Sequence, residues 1–350
     1  MFERKKTSME KEIFEQPKIT QAIIDKYVNG ENINIEVPHN IKKVKIIASG
    51  SSYHCARYGA EILNSIAKIE ARAIYSSEFL LEDTIINDDN LLYVFITQSG
   101  ETTDTNTAVN RVKEIGAKIL SITNKENSTI YNLSDYNMLC LAGEEKSIAA
   151  TKSFTSQLLC ITLLALKLAQ IQNINIEDDL IALKTIPSII EQGLSLQSKI
   201  KSFAKFISKF NQIVILADGA SYALAKETAL KIKETSYKIT NSAILGEFMH
   251  GHVAVLNNKD SVVIYVLNDT ISYNTIKNLS KIKETYNPPI CVIGQTTNQV
   301  KSAYNLDIDC NSPIVKTFAI ATIIQLLALE IALKLNKNVD APHGLDKVVK

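Results

Sequence analysis

Residues 44–58, VKIIASGSSYHCARY, line up with residues 213–227, IVILADGASYALAKE, so that Gly50 meets Gly219, Ser52 meets Ser221 and Tyr53 meets Tyr222 at an offset of 169 residues. The same offset sets NLLYVFITQS (90–99) against KDSVVIYVLN (259–268). Nearly the same offset pairs AKILSIT with PPICVIG and LLALKLA with EIALKLN. A chain that repeats itself over so many elements has to fold as two copies of one unit. Within each copy, short Val/Ile-rich runs alternate with helical stretches, the pattern of a parallel sheet joined by right-handed helical crossovers. The expected class is therefore α/β, with two homologous lobes, each a parallel sheet flanked by helices. The 350 residues are enough for two domains of ordinary size. The expected boundaries are a Glu/Lys-rich helical arm over 1–34, a first lobe over 35–175, a polar helical connector over 176–199, a second lobe over 200–338 and a tail over 339–350.

Composition narrows the function class. A formal net charge of +1, with 21% charged residues, gives no basic surface for nucleic acid or an anionic membrane. The five cysteines, Cys55, Cys140, Cys160, Cys291 and Cys310, form no C-x-x-C pair. That argues against a zinc site and fits a reducing cytosol. The N-terminus mixes charges of both signs without an apolar core, unlike a signal peptide. Two long apolar tracts occur, but the first carries Lys167 and the second Lys316, Gln325, Glu330 and Lys334. Both read as helices buried in a core or a subunit interface rather than membrane spans, and the chain is expected to be soluble and cytoplasmic.

The copies differ where one would expect chemistry. In an open parallel sheet, ligands bind beyond the carboxyl ends of the strands. The first lobe has SGSS (49–52) and TQSGET (97–102) at two such ends, whereas the second lobe has VLNDTI in place of TQSGET. Hydroxyls of Ser51, Ser52, Thr97, Ser99 and Thr102, backbone N–H groups and a helix dipole suit an anionic oxygen, and Gly50 and Gly100 permit close approach of the backbone. This pattern is a phosphate cradle without the lysine of a P-loop and without a G-x-G-x-x-G fingerprint. The competing explanation is that these residues are ordinary helix N-caps, with Glu101 in a first turn as a dipole partner. A turn that is merely structural should have survived in both copies.

The second lobe has its own cluster. ETALKIKETSY places Glu227, Lys231 and Glu234 on one helix face, a pattern that usually marks a solvated stripe. His250 and His252 follow in GEFMHGHVAV. With no further His or Cys nearby, a metal is not expected, and a histidine between glycines suits proton transfer. Lys347, near the end of the tail, reads in isolation as an exposed lysine.

Together, SGSSYHCA, TQSGETTDT, AGEEKSIAATKSFTSQL, ETALKIKETSY, GEFMHGHVAV and APHGLDKVVK resemble the isomerase part of the glutamine–fructose-6-phosphate aminotransferases, a pair of sugar isomerase (SIS) domains. EIFEQP near the start resembles the segment that leads into this part. The resemblance implies flavodoxin-like α/β/α lobes and an amino-sugar phosphate isomerase. Ser52, Thr97, Gln98, Ser99 and Thr102 would hold the sugar phosphate, with Ser51 beside them, and Glu145 and the backbone around Ile148 would line the sugar pocket. Glu234 would move a proton between C1 and C2, with Glu227 and Lys231 on the same face. His250, contributed by the neighbouring subunit of a homodimer, would help to open the ring. Lys347 would form a Schiff base with the open-chain ketose. No metal or organic cofactor is implied.

The chain departs from the synthase pattern at several points. Phe2 stands where the glutaminase half has its N-terminal cysteine nucleophile, so a separate glutaminase subunit, free ammonia or a deaminating reaction is expected. Asp218 stands in place of an arginine, His252 in place of a proline, and SIAATKSF resembles the deaminase and deglycase branches. The alternatives to an isomerase/deaminase are a fructosamine-6-phosphate deglycase and a non-catalytic sugar-phosphate sensor.

Overall fold

The computed structural model describes residues 5–82, 84–257, 259–295 and 298–347; Phe2 lies outside them. The chain forms two compact units. The first lobe comprises Lys18–Glu145, Lys152–Lys184 and Asp346–Lys350; the second comprises Met1–Pro17, Lys146–Thr151 and Thr185–Leu345.

The first lobe is built on β1 (Lys43–Ala48), β2 (Glu70–Tyr75), β3 (Leu91–Thr97), β4 (Lys118–Thr123) and β5 (Tyr136–Leu139). They form a parallel sheet in the order β2-β1-β3-β4-β5. Every residue of the central β3 is buried, as a continuous apolar run requires in a sheet covered on both faces. Helices α1 (Gly50–Ser65), α2 (Thr103–Glu114) and α3 (Lys152–Ile171) belong to this lobe. Ile47, Phe79, Tyr93 and Phe95 pack with Val109 and Val112 of α2 in one core. Helix α1 packs closely on α3, because Gly59 has no side chain: a Cβ there would lie 2.3 Å from Ile161.

The second lobe repeats the plan. Strands β6 (Gln212–Ala217), β7 (Ile239–Ile244), β8 (Ser261–Val266), β9 (Ile290–Gly294) and β10 (Tyr304–Asp307) are parallel in the order β7-β6-β8-β9-β10. Strands β6 and β7 begin 169 residues after β1 and β2, the offset read from the sequence. The lobe adds α4 (Ile186–Ser195), α5 (Gln197–Ile207), α6 (Ser221–Ser236) and α7 (Pro313–Lys334).

Helices α3 and α7 are long and apolar enough to cross a membrane, yet their apolar windows are 83% and 94% buried inside the structure. They are core helices. Part of the expected polar connector is not polar: Ile186, Ile190 and Leu194 of α4 are buried, an i, i+4, i+8 apolar face. Its Gly193 lies against α7, where a Cβ would come within 3.1 Å of the Ala319 carbonyl oxygen.

The N-terminal helix Ser8–Phe14 belongs to the second lobe, with Met9 and Ile13 fully buried. Its first amides, Ser8 N–H and Met9 N–H, donate to the Asp340 carboxylate at 2.8 and 2.9 Å. The buried Glu12 carboxylate accepts from the backbone N–H groups of Lys146 and Ser147 and from the Ser147 hydroxyl.

Candidate functional site

The apolar run of β3 ends at Thr97, and the chain turns through Gln98–Glu101 before α2 begins. Gly100 sits at φ +70, and a Cβ on it would lie 2.0 Å from Ser128 Oγ. Only glycine fits there, on both conformational and steric grounds. Thr97 Oγ1 accepts from the Gly100 N–H at 3.3 Å and meets Thr102 Oγ1 at 3.4 Å, while Ser99 Oγ accepts from the Glu101 N–H at 3.1 Å. Ser49 and Thr102 occupy the N-cap positions of α1 and α2, and neither side chain makes a capping bond. The hydroxyls are therefore not consumed as ordinary caps. Ser51 and Ser52 lie in the first turn of α1, half-buried. Gly50 at φ +56 precedes them with nothing within 4 Å of its absent Cβ.

Glu101 does not serve as the dipole partner expected of a first-turn acid. Its carboxylate accepts from Thr129 N–H at 2.9 Å and Thr129 Oγ1 at 2.8 Å. These backbone and side-chain bonds hold its acid below the usual value.

Asn124, just past β4, ties this loop to the next one, a link that the sequence did not single out. Its N–H donates to the Gln98 carbonyl at 3.2 Å. Its amide side chain donates to the Gly143 carbonyl at 2.7 Å and accepts from the Ala142 N–H at 2.8 Å. Two residues beyond Gly143, Glu145 is buried. Its carboxylate accepts from Ser153 N–H at 3.1 Å, from Ser153 Oγ at 2.7 Å and from Lys347 Nζ at 2.6 Å. Lys347 is thus no solvated tail residue: its side chain is 27% exposed and the Glu145 side chain 0%. Ser153, on the first turn of α3, lies within the AGEEKSIAATKSFTSQL motif but takes no role from the sequence. Ile148 falls in the second lobe, with its N–H directed to the Asp340 carbonyl at 3.4 Å.

The second lobe closes the corresponding position. Ser221, the counterpart of Ser52, donates to Asn268 Oδ1 at 2.6 Å and accepts from the Asn268 N–H at 2.9 Å. Asn268, the counterpart of Ser99, also donates to Thr317 Oγ1 at 2.8 Å. Both residues are buried. Beside them Asp218 accepts from Tyr265 OH at 2.9 Å and from Thr275 Oγ1 at 3.2 Å. Burial and the Asp218 charge together push the Tyr265 phenol up. A filled, acidic strand end of this kind repels an anion.

The Glu/Lys/Glu stripe of α6 is not the solvated face that its pattern suggests. Glu227 and Lys231 are fully buried. Lys231 Nζ lies 2.5 Å from Glu234 Oε2 and 3.6 Å from Glu227 Oε1, and only Glu234, 22% exposed in its side chain, reaches solvent. Burying Glu227 and Lys231 costs desolvation that their pairing offsets only in part, and a buried charge pair that leads to a solvent-reaching carboxylate is a candidate for chemistry. Helix α6 packs on α7, with Thr235 Oγ1 donating to the Ala328 carbonyl at 3.3 Å. His250 stands apart, exposed on a turn, with its backbone N–H on the Glu247 carbonyl at 2.9 Å. His250 and His252 do not join other side chains into a metal-binding group among the described residues.

The SIS domain model matches residues 39–167 and again residues 206–335. The chain belongs to the SIS domain family. Over 356 residues it is 32% identical to the glutamine–fructose-6-phosphate aminotransferase of Campylobacter jejuni, covering 97% of this chain and 58% of that protein. The Aquifex aeolicus aminotransferase is 31% identical over 346 residues, with 97% and 57% covered. The chain thus spans somewhat over half the length of these relatives. Among solved structures, the C-terminal domain of glucosamine-fructose-6-phosphate aminotransferase from Francisella tularensis superposes with a TM-score of 0.90 at 26% identity, covering 97% of this chain and 98% of that one. Glucosamine-6-phosphate deaminase from Thermotoga maritima shares the fold, with a TM-score of 0.78 at 22% identity over 98% and 99% of the two chains. The tandem SIS chain is accordingly homologous to the isomerase part of the aminotransferases.

Proposed function

We propose that this chain is an amino-sugar phosphate isomerase acting between glucosamine 6-phosphate and fructose 6-phosphate. The observation that carries this reading is that one lobe holds both the Thr97–Thr102 hydroxyl loop and Lys347 in contact with the buried Glu145. The loop suits a phosphate, and the amine of Lys347 can add to a ketose carbonyl. The names of the aminotransferase relatives support fructose 6-phosphate as one member of that pair.

In this reading Ser51, Ser52, Thr97, Gln98, Ser99 and Thr102 hold the phosphate, and Glu145 and the Ile148 backbone line the sugar. Lys347 forms the imine, which stabilises the carbanion-like intermediate as a proton moves between adjacent carbons. Glu234 carries that proton, with Glu227 and Lys231 fixing its charge. His250, supplied across a homodimer, assists ring opening. The nitrogen is released as ammonia, or is taken from solution or from a glutaminase partner, in the cytoplasm.

The test is to incubate the protein with glucosamine 6-phosphate and follow fructose 6-phosphate and ammonia, with a parallel screen of fructosamine phosphates. Turnover of fructosamine 6-phosphate alone would assign a deglycase. No turnover of any of these, with sugar phosphates still raising the melting temperature, would assign a sensor and overturn the isomerase.

A further inference from the structure

Lys347 does not sit in a merely polar setting. Its Nζ is 2.6 Å from Glu145 Oε2, and that carboxylate is fully buried at the side chain and steadied by both the N–H and the hydroxyl of Ser153. An amine that is to add to a carbonyl must first lose a proton, and the carbinolamine that results must gain one to expel water. One carboxylate in contact with the reacting nitrogen, held by two donors from a helix start, is placed to do both. The contact spans 202 residues of sequence; it brings the tail to this carboxylate rather than satisfying a local helix or turn.

We infer that Glu145 is a catalytic residue that carries the protons of imine formation at Lys347. This deepens the isomerase reading and rests on it for the identity of the carbonyl compound. Glu145 takes a proton from the Lys347 ammonium, giving a neutral carboxyl and a free amine. The nitrogen lone pair attacks the carbonyl carbon, the carbonyl π bond opens onto oxygen, and the proton on nitrogen passes to that oxygen to give a neutral carbinolamine. The carboxyl then protonates the carbinolamine hydroxyl, the carbon–oxygen bond breaks, and water leaves as the carbon–nitrogen double bond forms. The products are a protonated imine, water and the regenerated Glu145 carboxylate, with one positive charge on the nitrogen before and after.

The experiment measures trapping at Lys347 in the full chain by peptide mass spectrometry, with cyanoborohydride as reductant. Two carbonyl probes are used, pyridoxal and fructose 6-phosphate, and the exposed lysines of the same digest serve as the reference. Glu145→Gln is expected to slow pyridoxal trapping at Lys347 on the order of a hundredfold, the usual contribution of a positioned acid–base group. Glu145→Asp is expected to restore part of the rate. Should Glu145→Gln fail to fold, Ser153→Ala, which leaves the carboxylate but loosens it, is expected to slow trapping several-fold. Equal or faster trapping in whichever of these variants folds would overturn the inference and make the ion pair a mask on the amine. The fructose 6-phosphate arm separates the two claims. Trapping of pyridoxal that depends on Glu145, with no fructose 6-phosphate adduct on the wild type, would sink the substrate assignment and leave the role of Glu145 standing.

Discussion

Ser221 and Asn268 are joined twice, by the hydroxyl donating to Oδ1 at 2.6 Å and accepting from the backbone N–H at 2.9 Å. Among the described residues no such pair of bonds joins their counterparts Ser52 and Ser99 in the first lobe, where Ser99 instead accepts from the Glu101 N–H. The second lobe ties its two strand ends to each other through this pair, whereas the first lobe uses Thr97 and Ser99 only within their own loop, and the phosphate role proposed above rests on that difference.

Ser52→Ala should therefore weaken fructose 6-phosphate binding by about 1.5–3 kcal/mol, the worth of a hydrogen bond to a charged group, or roughly tenfold to a hundredfold in Kd. Ser221→Ala should leave that affinity unchanged and lower stability by about 1–3 kcal/mol, because Asn268 is left buried with an unmet amide. Calorimetric titration and chemical denaturation read the two effects separately. Equal loss of affinity in both variants would remove the distinction between the lobes.

Gly50 and Gly100 both have positive φ but differ in surroundings. Gly50→Ala meets open space and should cost only the backbone term of about 1–2 kcal/mol. Gly100→Ala drives a methyl into Ser128 and should displace the loop, abolishing measurable sugar-phosphate binding while the protein still folds. Thermal shift with and without ligand distinguishes the pair.

Glu234→Gln should lower turnover by two orders of magnitude or more, on the scale of a lost general base, and leave sugar-phosphate affinity within about twofold, since phosphate anchoring is assigned to the other lobe. Lys231→Met should instead destabilise the protein by about 3–5 kcal/mol, because it leaves Glu227 buried without its cation. Steady-state kinetics alongside denaturation midpoints checks both.

The acid of Glu101 is lowered from its ordinary 4.5 by the Thr129 bonds. A carboxylate depressed in the folded state contributes stability that is present above its unfolded value and is lost as pH falls through the folded one. Glu101→Gln should thus melt below the wild type near neutral pH, and the gap should close progressively below pH 4.5. A gap that is constant down to the acid transition would show that charge on Glu101 plays no part.

The sheets were legible because their signals are local: β3 is one apolar run ended by hydroxyls, and the repeat at 169 residues transfers its assignment to the second lobe. The hydroxyl loop was legible for the same reason, with the difference between copies adding what a single copy lacks. Lys347 was marked only by resemblance, and its contact with Glu145 was not legible, because the two lie 202 residues apart. The stripe of α6 was misleading for a related reason. Glu227 and Lys231 have a solvent-facing pattern on their own helix, and α7, which packs on that helix, comes from the far end of the chain. Asn124 carries no motif at all; its importance lies in three bonds made to backbone, which any sequence pattern leaves unmarked.

Those three bonds give the first lobe a ruler. Asn124 grips the Gln98 carbonyl on one side and Ala142 and Gly143 on the other, so the loop at Gln98 and the segment leading to Glu145 keep a set spacing. Under the proposed function, with phosphate at one mark and the Lys347 amine at the other, substrates would be sorted by how many carbons separate phosphorus from the carbonyl. A shorter or longer sugar phosphate would be gripped as firmly and left unreacted.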